Sequence, residues 1–325
     1  MSKSVLDVDT EHLTPGMKQY KEIKAEHPDC LVMLRMGDFY EMFYDDAVTA
    51  SQELDITLTA RGQGEKRAPL AGVPFHSIEP YIGKLVKKGY KVAIVEQLED
   101  PKKAKGLVKR GLVRIITAGT LIETSLLSEK ENNYLTSIAI NGHIAKIATT
   151  DISTGEFTLE TTTTIQDLLS HLTSKQPSEI LIAHSLGVNT ELITQLKVIS
   201  TISPLDDQTY KFERAREKIL TFFNIKSLDS FQLETDKLAV SACGSLIHYL
   251  EETHKTKLVH IQKITTSSAS HMLIDANTFR SLEIIRSNRD NTKKGTLLEV
   301  LDRTKTPMGG RKIQQYLQSP LQDIN

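Results

Sequence analysis

Residues 31–54 constrain the fold of this chain more than any other stretch. A short apolar run, Leu31–Leu34, is typical of a buried strand, and Gly37 follows it as a turn residue. Asp38 is a suitable N-cap, and the residues beyond it favour a helix over Phe39–Leu54. A strand that runs almost directly into a helix predicts an α/β unit in this part of the chain.

The rest of the first 120 residues also alternates between predicted strands and predicted helices. Thr14 followed by Pro15 predicts the start of an earlier helix, because proline is favoured at the first helical position. Polar stretches at Gln63–Arg67 and Pro101–Gly106 are predicted to be exposed loops. Strands are expected at Ile56–Thr59, Val92–Val95 and Leu112–Thr117, and a helix is expected at Ser77–Lys88.

A second unit is predicted from about residue 132. Apolar alternation indicates three strands, and Asn141-Gly142 between the first two is a strong hairpin signal. Three antiparallel strands followed by a helix and a strand is the order of a ribonuclease-H-like sheet. The predicted elements are strands at Tyr134–Ile140, Ile144–Asp151 and Glu156–Glu160, a helix at Ile165–Leu172 and a strand at Glu179–Ala183.

The pattern turns helical after about residue 235. Helices are predicted at Lys237–Thr253, Ala276–Asn288 and Thr296–Leu317. A chain of 325 residues is long enough for two or three domains. The predicted fold class is therefore multidomain α/β: a mixed α/β domain at 1–120, a ribonuclease-H-like α/β domain at 128–261, and the beginning of an all-α domain at 262–325.

Charge is unevenly distributed along the chain. The net charge is only −1, yet residues 84–114 carry ten Lys or Arg against three acids. Such a run can contact phosphates or can simply be a solvated face.

Cys30 and Cys243 have no metal-ligand spacing and fit free thiols in a reducing compartment. With no apolar leader and no stretch of membrane-spanning length, we expect a soluble, intracellular protein.

Five segments, taken in order, resemble the MutS family of DNA mismatch repair proteins. One departure is Ser281, where the family usually carries Asn. The segments are RMGDFYEMFYDDA (35–47), APLAGVPFHS (68–77), VAIVEQLEDP (92–101), RIITAGT (114–120) and a C-terminal set made of HMLIDANT (271–278), Leu282-Glu283, LLEVLDRT (297–304), Met308-Gly309 and Pro320-Leu321.

The resemblance implies a fold and a function. Domain 1–120 would be the mismatch-recognition domain, 128–261 the connector and 262–325 the start of the helical core or lever. It implies that Phe39 wedges at a mismatch from the minor groove, and that Glu41 hydrogen-bonds the displaced base. From the residues alone, Phe39 could equally be a core aromatic, and Glu41 an acid in the first turn of a helix. Asp45 and Asp46 are predicted to lie on a solvated helix face.

Further residues are candidates for contact with the DNA backbone. The segment before the helix at Ser77 is favoured because helix N-termini bind phosphate. His76 could instead be a turn histidine bonded to protein, and the loop lysines could serve either way. The candidates are Arg61, His76, Ser77, Lys102, Lys103 and Arg110, with Lys105 on the same loop as the two lysines.

The family resemblance also implies partners. They are double-stranded DNA with mismatches or small loops, a second copy of the chain, and a downstream MutL-like factor, in a cytoplasmic, nucleoid-associated setting. The sequence holds no G-x-x-x-x-G-K-[ST] loop, and Gly309-Gly310-Arg311-Lys312 lacks its spacing. ATP and Mg²⁺ are therefore expected with a further ATPase domain. Without that domain, we expect this chain to have no enzymatic activity, to be a monomer or weak dimer, and to bind DNA poorly.

Two rival functions remain open at this stage. The middle domain could be a metal-dependent nuclease that uses Asp151 with Glu156, Glu160 or Asp167, although their spacing does not force the carboxylates to converge. Alternatively, the chain could dock repair partners through its acidic middle without reading mismatches. The histidines show no metal-binding pair, and no metal site is predicted.

Overall fold

The computed structural model describes residues 4–62, 67–99, 106, 108–123, 125–126, 128–266, 271–272 and 274–322. These residues divide into two compact units. One comprises residues up to 118 together with 252–256, and the other comprises 119–251 and 257 onwards. Both units are mixtures of helices and strands, as expected for an α/β chain.

The first unit is built on a six-stranded mixed sheet. Its strand order is β3-β4-β2-β1-β5-β6, in which β1 runs antiparallel to β2 and parallel to β5. The strands are β1 (Cys30–Met36), β2 (Phe39–Phe43), β3 (Thr59–Arg61), β4 (Ala68–Pro74), β5 (Lys91–Gln97) and β6 (Arg110–Ile116), and the helices are α1 (Pro15–Glu26), α2 (Tyr44–Leu54) and α3 (Ile78–Lys87).

The predicted start of α1 is confirmed. The Thr14 hydroxyl accepts a hydrogen bond from the Met17 amide at 3.5 Å, and Pro15 occupies the first helical turn. Met17 and Tyr20 on this helix are buried and pack with Val32 and Leu34 of β1. α1 therefore covers one face of the sheet.

The predicted helix over Phe39–Leu54 is wrong in its first five residues. Phe39–Phe43 is strand β2, which pairs with β1 on one side and with β4 on the other, and the helix begins only at Tyr44. Gly37, at φ +60°, forms the turn between β1 and β2. Asp38 lies in that turn and does not cap a helix. The backbone N–H and C=O groups of Phe39–Phe43 pair with the two flanking strands and not with one another, as they would in a helix.

Asp46 is also placed differently from the prediction. It is buried rather than solvated, and its carboxylate accepts hydrogen bonds from the Tyr20 hydroxyl, from the Val32 amide at 3.0 Å and from Lys24 Nζ at 2.8 Å. Asp46 lies in the first turn of α2, and its side chain reaches β1 from there. The carboxylate satisfies the Val32 amide, which lies beyond the last paired position of β1 and β2, Leu34 with Glu41.

Two further boundaries in this unit differ from prediction. The expected strand Ile56–Thr59 is β3 at Thr59–Arg61, and the segment 68–77, for which no strand was predicted, is mostly strand β4. β4 pairs with β3 over residues 68–70 and with β2 over residues 70–74, so Pro69 lies where β4 has a paired neighbour on one side only. The predicted strands at 92–95 and 112–117 and the helix at 77–88 are confirmed to within a few residues. The loop 63–67 lies outside the described residues except for Arg67.

The second unit has its own six-stranded sheet. The predicted antiparallel hairpins are confirmed, and Gly142 at φ +61° makes the first turn. The order is β11-β10-β7-β8-β9-β12, with β10 parallel to both β7 and β11. The strands are β7 (Tyr134–Asn141), β8 (Ile144–Asp151), β9 (Glu156–Thr162), β10 (Glu179–Ala183), β11 (Thr201–Leu205) and β12 (Thr265–Thr266), and the helices are α4 (Ile165–Lys175), α5 (Thr190–Ile199), α6 (Phe212–Phe223) and α7 (Lys237–His254).

The C-terminal residues of the second unit are less continuously helical than predicted. The expected helix Ala276–Asn288 is only α8 (Ala276–Ser281), and the expected helix Thr296–Leu317 is two helices, α9 (Leu297–Leu301) and α10 (Pro307–Gln318). Pro307 starts α10 because its missing amide and restricted φ suit a first turn and not a helix interior. Among the residues described, no helix combines the length and apolarity needed to cross a bilayer.

Candidate functional site

The β1–β2 hairpin brings Phe39 and Glu41 to one face of the first sheet. Residues two apart in a strand point the same way, and the alternate residues Tyr40 and Met42 are buried on the opposite face. Phe39 has 47% of its surface exposed, which is high for a large aromatic next to a buried strand. It lies directly after the turn, at the end of the strand, opposite Met36.

Gly72 leaves the surface between these two side chains open. It lies opposite Glu41 on β4 and is exposed. A Cβ atom built there would lie 3.8 Å from Phe39 Cδ1 and 3.8 Å from Glu41 Cγ. With no side chain at this position, a ring and a carboxylate flank a stretch of bare backbone. Sequence analysis did not single out Gly72, although a glycine inside an apolar strand pattern is a signal for close approach.

Glu41 is held by an arginine from the edge strand. Arg61 Nη1 donates to Glu41 Oε2 at 3.0 Å, and the Arg61 side chain remains half exposed. Burial raises the pKa of Glu41, while the charges of Arg61 and then Arg110 oppose the rise. The arrangement is a half-buried carboxylate paired with one half-exposed arginine.

Arg110 has a largely internal set of contacts. Its Nε donates to the Arg35 carbonyl at 2.8 Å, and its Nη1 donates to Gln19 Oε1 at 3.1 Å and to the Val108 carbonyl at 3.0 Å. Burial lowers the pKa of its guanidinium, and the charge of Glu41 opposes that change. The structure thus gives Arg110 a role in joining α1, β1 and β6.

His76 and Ser77 lie beyond the end of β4, in a short turn that leads into α3. Both are exposed, and the His76 ring packs on Phe75 with the ring centres 3.5 Å apart. Ser77 precedes the first residue of α3, but its side chain does not cap the helix. Lys102, Lys103 and Lys105 lie outside the described residues.

In the second unit, the candidate nuclease residue Asp151 is fully buried and fully bonded. Its Oδ1 accepts from the amide and hydroxyl of Ser153 at 2.9 and 2.7 Å. Its Oδ2 accepts from Asn132 Nδ2 at 2.7 Å and from the Asn133 amide at 3.3 Å. Such a carboxylate holds a turn together and has no lone pair directed at a metal.

The other acids of the nuclease hypothesis do not join it. Glu160 contacts His171 at 3.1 Å and Lys175 at 3.8 Å, and Glu156 accepts from Gln315 at 3.2 Å. Within the described part of the chain, no three His, Cys, Asp or Glu residues are grouped closely enough to hold a metal ion. The chemistry-bearing groups that do converge are those around Phe39 and Glu41.

Comparison with known proteins places these features in a family. Three family models match the chain in order: MutS domain I at residues 14–125, MutS domain II at 133–262 and MutS domain III at 277–325. Phe39, Glu41, Gly72 and Arg61 all lie within the first match.

Curated relatives match almost the whole chain. A protein named DNA mismatch repair protein MutS from Alkaliphilus oremlandii is 45% identical over 322 residues, which cover 96% of this chain and 36% of that protein. Proteins of the same name from Caldanaerobacter subterraneus and Ruminiclostridium cellulolyticum are 44% and 42% identical, covering 96% and 95% of this chain and 36% of each relative. This chain thus spans about 36% of the length of these relatives, and, with all three domain models matched in order, it belongs to the MutS family.

Proposed function

We propose that the first unit of this chain binds double-stranded DNA and recognises mismatched base pairs or small loops, as part of DNA mismatch repair. Support comes from the match to MutS domain I and from relatives whose printed name is DNA mismatch repair protein MutS. The observation that carries the proposal is the exposed Phe39 ring, presented at the end of a hairpin beside a half-buried carboxylate.

Phe39 acts as the wedge in this proposal. An apolar side chain that enters a base step from the minor groove unstacks it at a cost of a few kcal/mol and leaves the duplex kinked. A mispaired step is already poorly stacked, so the cost is lower there, and this difference gives selectivity without sequence reading. The ring follows the turn at Gly37, and the pairing of β2 with a strand on each side resists its displacement.

Glu41 makes the polar contact to the displaced base. A carboxylate beside a polyanion is unfavourable, and burial already raises the pKa of this group. In contact with DNA, Glu41 hydrogen-bonds the displaced base: the carboxylate accepts from an N–H group of the base, and the protonated form, which burial favours, donates to a ring nitrogen or carbonyl. The bare backbone at Gly72 gives the base room to lie between the ring and the acid.

Contacts to the DNA backbone complete the interface. The half-exposed Arg61 and the exposed His76 and Ser77 at the start of α3 are available as donors to phosphate oxygens. Arg110 contributes its charge while its donors remain largely within the protein. Lys102 and Lys103 are assigned the same role on the strength of the sequence.

The remaining assignments follow the family. We propose a mismatch-recognition domain at 1–120, a ribonuclease-H-like connector at 128–261 and a core or lever domain beginning at 262, with a homodimer, a MutL-like partner and a cytoplasmic, nucleoid-associated location. ATP and Mg²⁺ are assigned to an ATPase domain beyond domains I to III. Gly309 and Gly310 lie inside helix α10 and form no phosphate-binding loop.

The test is a fluorescent duplex that reports unstacking. We place 2-aminopurine next to a G·T pair or a single-base loop, and compare it with a perfectly paired duplex in low salt, where weak binding is measurable. Fluorescence should rise only on the mismatched duplexes, and Phe39→Ala should abolish the rise. Tyr316→Ala, which removes another exposed aromatic, is the control and should leave the rise unchanged. Equal fluorescence with all duplexes would favour the partner-docking alternative.

A further inference from the structure

The β1–β2 turn is joined to the end of β4 by Arg35, a residue to which no role has so far been given. Its side chain is half-buried and its guanidinium carbon lies 3.4 Å from the centre of the Phe75 ring, so the two planes are in direct contact. The Nε of Arg35 also donates to the Gly37 carbonyl in the turn. One side chain thus bonds the turn and stacks on the residue that follows β4.

Backbone contacts meet at the same point. The Phe75 amide donates to the Asp38 carbonyl at 3.0 Å, which is a second link between the turn and the chain after β4. The Arg35 guanidinium lies 5.7 Å from the Tyr40 ring, whose hydroxyl donates to Glu96 on β5. Arg35 therefore contacts Gly37, Phe75 and Tyr40 on the face of the sheet opposite to Phe39.

These contacts restrict the position of Phe39, which is the second residue after Gly37. Glycine has few steric restraints on its backbone, and a wedge on a turn that yields would be displaced when pushed against a stacked base step. A ring held in one position enters a poorly stacked base step and is kept out of a well stacked one. The difference in binding between mismatched and paired DNA depends on that stiffness.

Resting on the proposed function, we infer that Arg35 is a positioning residue for mismatch discrimination: it clamps the Gly37-Asp38 turn against Phe75 and so holds Phe39 in its wedging position. Arg35 does this through its Nε and through the guanidinium plane that faces Phe75, both of which contact protein. A competing role, in which Arg35 is one more phosphate contact, predicts different behaviour in salt.

The experiment compares Arg35→Gln and Arg35→Lys in the full chain. Binding to G·T and paired duplexes is measured across a series of salt concentrations, with Arg214→Gln as a control for the loss of an exposed arginine. Both Arg35 variants should lower the ratio of mismatched to paired affinity about three- to tenfold, the scale expected of a lost cation–π contact and turn bond. The dependence on salt should not change, because no counterion release is involved.

Two results would overturn the inference. One is an unchanged ratio in both variants. The other is a salt slope reduced by about one in Arg35→Gln and restored in Arg35→Lys, which is the signature of a phosphate contact. If the wild-type chain shows no preference for the mismatched duplex, the proposed function is wrong. If the wild type shows the preference and both variants keep it, the proposed function stands and the inference about Arg35 is wrong.

Hydrogen exchange supplies a readout without DNA. The Phe75 amide, which donates to Asp38, should exchange faster in both Arg35 variants than in the wild type, while amides in the centre of β1 keep their protection. Unchanged protection at Phe75 would mean that Arg35 does not hold the turn, and would contradict the inference whatever the DNA result.

Discussion

Arg61 and Glu41, twenty residues apart, form an ion pair at 3.0 Å across the open end of the first sheet. The pair joins edge strand β3 to β2 by reaching over β4. It links Glu41, an acid on the face that we propose contacts DNA, to an arginine whose side chain is half exposed.

We expect Arg61→Ala to raise the pKa of Glu41 further. The guanidinium of Arg61 is the largest influence opposing the burial of this acid, and its removal leaves only Arg110. A raised pKa in the folded state favours the protonated form, so the associated stability is present below the ordinary pKa of glutamate and is lost as pH rises through the raised value. An NMR titration of the Glu41 carboxyl carbon measures the change.

The control for this titration is Arg67→Ala, which removes an exposed arginine from the segment between β3 and β4. It should leave the pKa of Glu41 where it is. A Glu41 pKa that falls or stays constant in Arg61→Ala would show that the pair contributes nothing in solution.

We expect Lys24→Met to destabilise the first unit by about 3–5 kcal/mol, because it leaves the buried Asp46 carboxylate without its cation. The Lys24 Nζ lies 2.8 Å from Asp46 Oδ1 and also donates to the Cys30 carbonyl at 2.7 Å. The opening free energy of backbone amides in β1, measured by hydrogen exchange, reports the loss. Lys18→Met, on the exposed side of the same helix, should change it by less than about 0.5 kcal/mol. Equal effects of the two substitutions would contradict the buried pair.

Gly72 offers a test of the open surface between Phe39 and Glu41. Gly72→Ala should be tolerated, because its Cβ would make ordinary contacts at 3.4 to 3.8 Å. Gly72→Leu should also fold, but its side chain would occupy the space between ring and acid and should weaken mismatch binding by about tenfold, or 1.4 kcal/mol. Melting curves and binding isotherms for both variants separate the two effects. Undiminished mismatch binding by Gly72→Leu would mean that the base does not lie there.

The break between α9 and α10 is stabilised by a second ion pair. Lys130 Nζ lies 3.1 Å from Asp302 Oδ2, and the Thr304 hydroxyl also donates to Asp302. The hydrogen bond from Thr304, followed by that from Lys130, lowers the pKa of Asp302 to about 2. The stabilisation is therefore present above the ordinary aspartate value and is lost as pH falls through about 2.

We expect Lys130→Met to raise the pKa of Asp302 towards its ordinary value, and the acid-induced loss of structure around residues 302–306 to begin at higher pH. An NMR titration of the Asp302 carboxyl carbon shows both. Lys305→Met, which removes an exposed neighbouring lysine, should have no effect. An Asp302 pKa that is identical in Lys130→Met and the wild type would leave the ion pair without a role.

Sequence patterns predicted the elements whose signals are local. The Thr14 cap, the hairpin at Asn141-Gly142 and the strand Glu179–Ala183 each depend on a few neighbouring residues, and all are confirmed. The family resemblance also selected Phe39 and Glu41, and the structure brings them to one strand face.

The elements that were wrong depend on contacts distant in sequence. Phe39–Phe43 is a strand because β1 and β4 pair with it, and nothing within the segment itself reveals the second partner. The same is true of Asp46, whose charge is buried because Lys24 and Tyr20 reach it from another helix. The Gly72 gap and the stack of Arg35 on Phe75 likewise exist only once the strands are aligned.

The central claim is that Phe39 makes this chain prefer mismatched DNA, and one ratio tests it most directly. Affinities for a G·T duplex and for the same duplex perfectly paired are measured with wild type and Phe39→Ala under identical low salt. The wild type should bind the G·T duplex more tightly, and the ratio should fall to about one in Phe39→Ala, because both duplexes then meet only backbone contacts. A G·T preference that is the same in Phe39→Ala as in the wild type would contradict the account.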